Sequence, residues 1–162
     1  MRHNAMIRFA FILAALPAVA APQVVGFALE PKVILVDGLP KVVQSPVADV
    51  AIFFEFSSAT ARKLGQVNVP TNFFGPPSSV AVSADRSLAL VSTSQRINPQ
   101  DSTKFAPDNR LSLIDLSASP LRVVQTLELG ASPASIAINP AGTMVLAMNT
   151  TDDSVTVLSI AG

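Results

Sequence analysis

A repeat in the second half of the sequence limits this chain more than any other feature. Pro77-Ser78-Ser79-Val80-Ala81-Val82-Ser83, a polar stretch at 84–87, and Leu88-Ala89-Leu90-Val91-Ser92-Thr93 form the first copy. Fifty-six residues on come Pro133-Ala134-Ser135-Ile136-Ala137-Ile138-Asn139, a turn at 140–143, and Met144-Val145-Leu146-Ala147-Met148-Asn149. Proline, serine, alanine and leucine recur in register, with Val exchanging for Ile. Short β-rich runs either side of a polar turn spell a β-hairpin. A third apolar run follows each hairpin, at 111–116 and 155–160, and these lie 44 residues apart. The first unit therefore carries 12 extra residues between its second and third strands, roughly 95–107. A fourth run, 123–129, leads through Gly130 into the second unit.

Four short strands every ~40 to 45 residues is the period of a β-propeller blade. The same order recurs upstream, where 50–56 matches the third strand and 64–69 the fourth, each 60 residues ahead of its counterpart. Residues 24–29 and 33–36 are available as two strands of that earlier blade, with Pro31, Pro40 and Pro46 obscuring their register. Thirteen prolines and many β-branched residues leave no capped helical segment after Pro22. The expected fold is all-β, with blades of four antiparallel strands. The expected organisation is a leader at 1–20, strands of unsettled register at 21–46, and a partial propeller at 47–162. Its blade units run at about 47–74, 75–129 and 130–162.

The leader reads as a secretory signal peptide. Arg2 and Arg8 form its basic end, 9–16 is an unbroken apolar run, and Pro17 leads into Ala18-Val19-Ala20. The apolar run is far below the ~20 residues that span a bilayer, so cleavage after Ala20 is expected rather than a membrane anchor. The mature chain would have 142 residues, nine of them basic against eleven acidic. Export without any cysteine points to a bacterial periplasmic or extracellular protein. The only histidine, His3, would leave with the leader.

The segments Gly75-Pro76-Pro77-Ser78-Ser79-Val80-Ala81-Val82-Ser83-Ala84-Asp85, Leu113-Ile114-Asp115-Leu116, and 130–149 resemble the YVTN-type β-propeller repeats of exported bacterial proteins. That family shares its fold with the seven-bladed lactonase-like propellers. Two positions depart from the pattern. The Asp-Gly turn is split, with Asp85-Arg86 in one copy and Ala141-Gly142 in the other, and Thr93 stands where the later copy has Asn149. Closed propellers have at least four blades, and the mature chain supplies about three. A terminal blade without a neighbour would expose Val155, Val157, Leu158 and Ile160 on one side or the other, and such an open edge invites association. The chain is therefore expected to be a fragment of a longer propeller or a segment completed by a partner.

The catalytic inventory is poor. There is no G-x-S-x-G, S-x-x-K, P-loop or G-x-G-x-x-G motif, and no cysteine or mature histidine for nucleophilic or metal chemistry. No cofactor is expected, and 14% charged residues in near balance give no nucleic-acid footprint. The insertion is the best candidate contact surface, because loops held by a rigid sheet are where binding is built. Its candidates are Arg96, Asp101, Lys104 and Phe105, with Asp108 and Arg110 immediately after, against the plainer reading of a tolerated surface insertion. Asp152 and Asp153 with Asn149 read as a turn in preference to a hard-cation site. Asp115, between Ile114 and Leu116, needs a hydrogen-bond donor near a strand end. Phe53, Phe54 and Phe56 suit packing between blades, and Phe73 and Phe74 suit capping a blade edge.

Three functional readings follow. The first is an exported binding or scaffold segment that contacts a ligand or protein, or associates with itself through open blade edges, without catalysis of its own. The second, implied by the resemblance, is a fragment of an enzyme hydrolysing a sugar or organic-acid lactone. The third is a truncated product without function.

Overall fold

A computed structural model describes residues 21–43, 47–58, 60–73 and 77–160. The expected leader, Phe74, Gly75 and Pro76 lie outside these residues. The described chain is all-β. Its strands are β1 (Gln23–Leu29), β2 (Val33–Val36), β3 (Leu39–Val42), β4 (Val50–Phe56), β5 (Ala61–Asn68), β6 (Val80–Val82) and β7 (Leu88–Asn98). They continue with β8 (Asp101–Asp115), β9 (Arg122–Glu128), β10 (Pro133–Ile138), β11 (Met144–Asn149) and β12 (Val155–Ser159), and one 3-10 turn, Pro77–Ser79, precedes β6.

The strands form three antiparallel blade sheets and one separate hairpin: β1-β4-β5, β6-β7-β8-β9, β10-β11-β12, and β2-β3. The middle blade has the four strands expected of a complete unit. In the first blade β1 pairs directly with β4, Phe27 opposite Ile52. Of the described part of the stretch 21–46, residues 21–43, only β1 joins a blade. Residues 33–36 pair instead with β3 across the two-residue turn Asp37-Gly38, Val36 opposite Leu39. Both turn residues have positive φ, 52° and 77°, the geometry that matches the twist of a tight hairpin. Pro40 is tolerated because β3 is an edge strand.

The middle blade is the shared layer. Side chains alternate along a strand, so β7 and β8 feed two cores at once. Ala89, Val91, Ile114 and Leu116 face the first blade, where they meet Ala51, Phe53, Val69 and Leu121, the last from the middle blade's own β8–β9 turn. Leu90, Leu111 and Leu129 face the third blade and meet Ile136, Val145 and Ala147. Glycine permits the closest approach of the first two blades. A Cβ on Gly26 would lie 2.6 Å from Val80 Cγ1 and 2.7 Å from the Phe53 ring, and one on Gly65 would lie 2.9 Å from Leu121 Cγ.

The two outer faces of this stack are uncovered among the described residues. On the first blade, Val25, Phe27, Leu29 and Phe56 are exposed, with the Phe54 ring edge-on to Phe27 at 6.0 Å. On the third, Met144, Leu146, Met148, Val155 and Val157 are exposed, the last two at 57% and 61%. Leu158 and Ile160 turn the other way and pack half-buried on the core shared with the middle blade. Phe53 is fully buried between blades as expected, whereas Phe54 and Phe56 belong to the uncovered face.

Candidate functional site: the arm of the middle blade

The insertion is strand, not loop. β7 and β8 run past the rest of their blade as a two-stranded arm, with Gln95 opposite Pro107, Arg96 opposite Ala106 and Ile97 opposite Phe105. The turn at its tip, Pro99-Gln100, is tied by Asn98 Oδ1, which accepts the Gln100 N–H at 2.9 Å. An extra hairpin grows from existing strands because the ladder that pairs residues 88–93 with 110–115 simply continues, with register shifts at Thr93/Gln95 and Ile97/Asn98.

This geometry separates the six candidate residues into three levels. At the tip, Lys104 pairs with Asp101 at 2.8 Å, and Asp101 also accepts hydrogen bonds from the backbone and hydroxyl of Thr103. The Lys104 contact, then Thr103, holds the Asp101 carboxyl below its usual range. In the middle, Arg96 is exposed, and the Phe105 ring packs on Phe73 with centroids 4.9 Å apart. At the base, Asp108 is 3% exposed and takes the Arg110 side chain through Nε at 2.8 Å and through Nη2. Burial pushes the Asp108 carboxyl up, but the hydrogen bonds and charge of Arg110 outweigh it and the net shift is downward. The Arg110 guanidinium is raised in turn, chiefly by its bond to Asp108.

The base level joins a larger cluster. A cleft of ≈ 440 Å³ is lined by Arg110 together with Lys32, Asp49, Asn68 and Pro70. Asp49 is 7% exposed; its Oδ2 accepts Lys32 Nζ at 2.5 Å and the Thr71 N–H at 2.9 Å, while Oδ1 has no partner. Lys32 Nζ also lies 5.7 Å from the centroid of the Phe73 ring, joining the cleft to the aromatic pair. Beside it, the Glu30 carboxyl is pushed up by burial. A second, smaller cleft of ≈ 270 Å³ runs between the arm and the third blade, lined by Ser94, Gln95, Phe105, Pro107, Thr150 and Thr151.

Lys32, Asp49 and Phe73 thus complete the site without having been singled out for it by sequence pattern. They come from the strand connections of the first blade, distant in sequence from the arm. Asp49 sits immediately before an apolar strand and two residues after Val47, and a buried acid there needs a donor. That need signalled a donor, and the fold supplies two, Lys32 Nζ and the Thr71 N–H.

The other acidic candidates serve the backbone. Asp115 accepts the N–H groups of Ser117 and Ala118 and the Arg122 guanidinium, closing the β8–β9 turn as a structural carboxylate. Asp152 accepts the backbone and hydroxyl of Ser154, and Asn149 Nδ2 donates to Ser154 and Thr156. Asp152 and the Asn149 amide nitrogen thus serve the turn at 149–154, while Asn149 Oδ1 is buried without a partner.

A candidate 6-phosphogluconolactonase from Bacteroides fragilis is similar to this chain at 12% identity, with a TM-score of 0.49, covering 82% of this chain and 34% of that one. The chain spans about a third of that protein's length. No protein-family model matches the sequence, and no curated protein does.

Proposed function

We propose that this chain is an exported β-propeller segment of the YVTN type that works as a binding or scaffold module, without catalysis of its own. The observation that carries the reading is what the fold leaves uncovered. Among the described residues, two sheet faces rich in large apolar side chains are open, whereas the acids at the arm and its cleft are tied up in ion pairs, Asp108 with Arg110, Asp49 with Lys32 and Asp101 with Lys104. Contiguous exposed apolar surface on a sheet marks an interaction site. A general acid or base needs instead a titratable group poised near the working pH and free to exchange its proton. The lowered carboxyls of Asp101 and Asp108 move away from that range, and the Glu30 carboxyl, raised by burial, is engaged by the Lys32 backbone N–H.

The competing activity is hydrolysis of a sugar lactone, and it is tested directly. Purified chain is mixed with D-glucono-δ-lactone and proton release is followed. Opening at the buffer rate is the expected result. Acceleration that disappears in an Arg110→Ala variant would assign catalysis to the arm base and overturn the reading. Export is tested separately by expressing the chain in a bacterium with a periplasm, where the mature protein is expected to begin at Ala21.

A further inference from the structure

We propose that the two open sheet faces are each other's partners, so that a second copy of this chain stacks onto the first and two copies close a six-bladed ring. The inference rests on the binding-module reading and names the partner that the uncovered faces take.

The stacking rule is set by the blades already in contact. Each blade has two faces. The first blade gives the face of Ala51 and Phe53 to the middle blade's Val91 and Ile114, and the middle blade gives its opposite face, with Leu90 and Leu111, to the third blade's Ile136 and Val145. At both junctions the later face of one blade meets the earlier face of the next. Among the described residues, two faces remain after these junctions: the earlier face of the first blade and the later face of the third. They are therefore the complementary halves of one more junction of the same kind. A contact between unlike faces is heterologous, and it closes into a ring when the rotation allows.

The chemistry of the two faces matches. The first blade presents Val25, Phe27, Leu29 and Phe56 with the half-buried Phe54, and the third presents Met144, Leu146, Met148, Val155 and Val157. Methionine sulfur packs favourably against aromatic rings, and its flexible side chain fills the gaps that rigid rings leave. The polar members of the first face sit on its edge strand β5, where Lys63 opposite Phe54 and Gln66 opposite Ile52 hydrogen-bond each other, so the apolar centre on β1 and β4 can be covered while the Lys63 ammonium stays at the rim.

Area and number select a closed pair. With strands ~4.8 Å apart and ~3.3 Å per residue, three strands of about six residues offer a face of roughly 280 Å². One such junction buries about 560 Å² over both partners, the size of a packing contact, while a closed pair makes it twice, about 1,100 Å², above the threshold of a specific interface. Propeller rings run to about four to eight blades, and six is the multiple of three in that range.

The test is the molar mass of the exported chain, beginning at Ala21, in solution, by sedimentation equilibrium across a concentration series. The expected species has twice the chain mass. Phe27→Asp on the first blade and Leu146→Asp on the third are each expected to abolish it, leaving monomers with unchanged circular dichroism. Val157→Lys, at a 61% exposed position where the fold tolerates charge, is expected to do the same and serves if Leu146→Asp fails to fold. A wild-type monomer, an open series of larger species, or a pair that survives Phe27→Asp overturns the proposal. The lactone assay is independent of these outcomes: a monomer without turnover defeats the ring and leaves the module reading standing, and a pair with turnover does the reverse.

Discussion

Arg86 and Gly142 occupy the same step of the same turn, 56 positions apart, with φ of 65° and 70°. In both copies the residue three before it accepts the turn's hydrogen bond: Ser83 from Arg86 N at 2.9 Å, and Asn139 from Gly142 N at 2.9 Å. Only one copy has the residue suited to the left-handed region, where a side chain with a Cβ costs about 1–2 kcal/mol. Arg86 offsets part of that through an ion pair to Glu55 at 3.6 Å, which bridges two blades but is half-exposed and worth well under 1 kcal/mol. Arg86→Gly is therefore expected to stabilise the protein by about 0.5–1 kcal/mol, read as a raised midpoint in urea. A lowered midpoint would mean that the Glu55 contact outweighs the strain. The neighbouring Asp85 carries a second test. Hydrogen bonds from Ser83 and then Ser87 lower its carboxyl to about 2 from an ordinary 3.8. A depressed carboxylate contributes stability that is present above the unfolded value and lost as pH falls through the folded one, so the turn is expected to loosen between about pH 4 and 2. Carbon NMR of the Asp85 carboxyl is expected to titrate near 2 and to move upward in Ser87→Ala; a wild-type midpoint at 3.8 would contradict the turn's geometry.

Among the elements, the tightest constraint is the approach of β1 to the middle blade. At Gly26 an added methyl meets Val80, which is β-branched, and Phe53, which is fully buried, so neither has room to yield. Gly26→Ala is expected to cost about 1–3 kcal/mol by overpacking. Gly38→Ala meets nothing within 4 Å and acts only through its φ of 77°, so it is expected to loosen the β2–β3 hairpin and leave the blade cores intact. Equal losses of global stability in the two variants, by denaturant titration, would refute this contrast. The same elements show how far local pattern reaches. From β6 onward the strands are legible because the repeat writes each one twice, and a hairpin needs only its own turn and alternation. The pairing of β1 with β4 is not written locally, since 20 residues lie between the two strands and prolines 31 and 40 interrupt them. Asp37-Gly38 between two apolar runs was the available signal for β3, stronger than the presence of Pro40 against it. The arm reads as a loop because its charged residues hide the alternation of Ile97 and Phe105, which the ladder below it extends. At the site, Asp108 and Arg110 are two residues apart and visible. Lys32 and Asp49 reach them only through the packing of one blade on another, which no spacing in the sequence encodes.

At the scale of the molecule, stability is concentrated where the two cores share a layer. β7 and β8 carry Leu90, Val91, Leu111 and Ile114, all 0–1% exposed, and each of the outer blades is buried on one face only. Opening either outer blade leaves the other core intact, whereas opening the middle blade removes both. Local opening free energies range from near zero to the global value, so amide exchange is expected to be slowest in the inner parts of β7 and β8. The β2–β3 hairpin, with Ile34, Leu35 and Leu39 exposed, is expected to exchange fastest, at least about a hundredfold faster than Leu90 and Leu111. Pairing of copies changes this order in a defined way. A second copy covers β11 and β1 on their open faces but leaves the middle blade as it was, so raising the concentration is expected to slow exchange in the outer blades alone. The arm gains nothing from that contact. Protection of residues 95–107 that rose in step with the outer blades would place the arm inside the junction and require a different arrangement of the two copies.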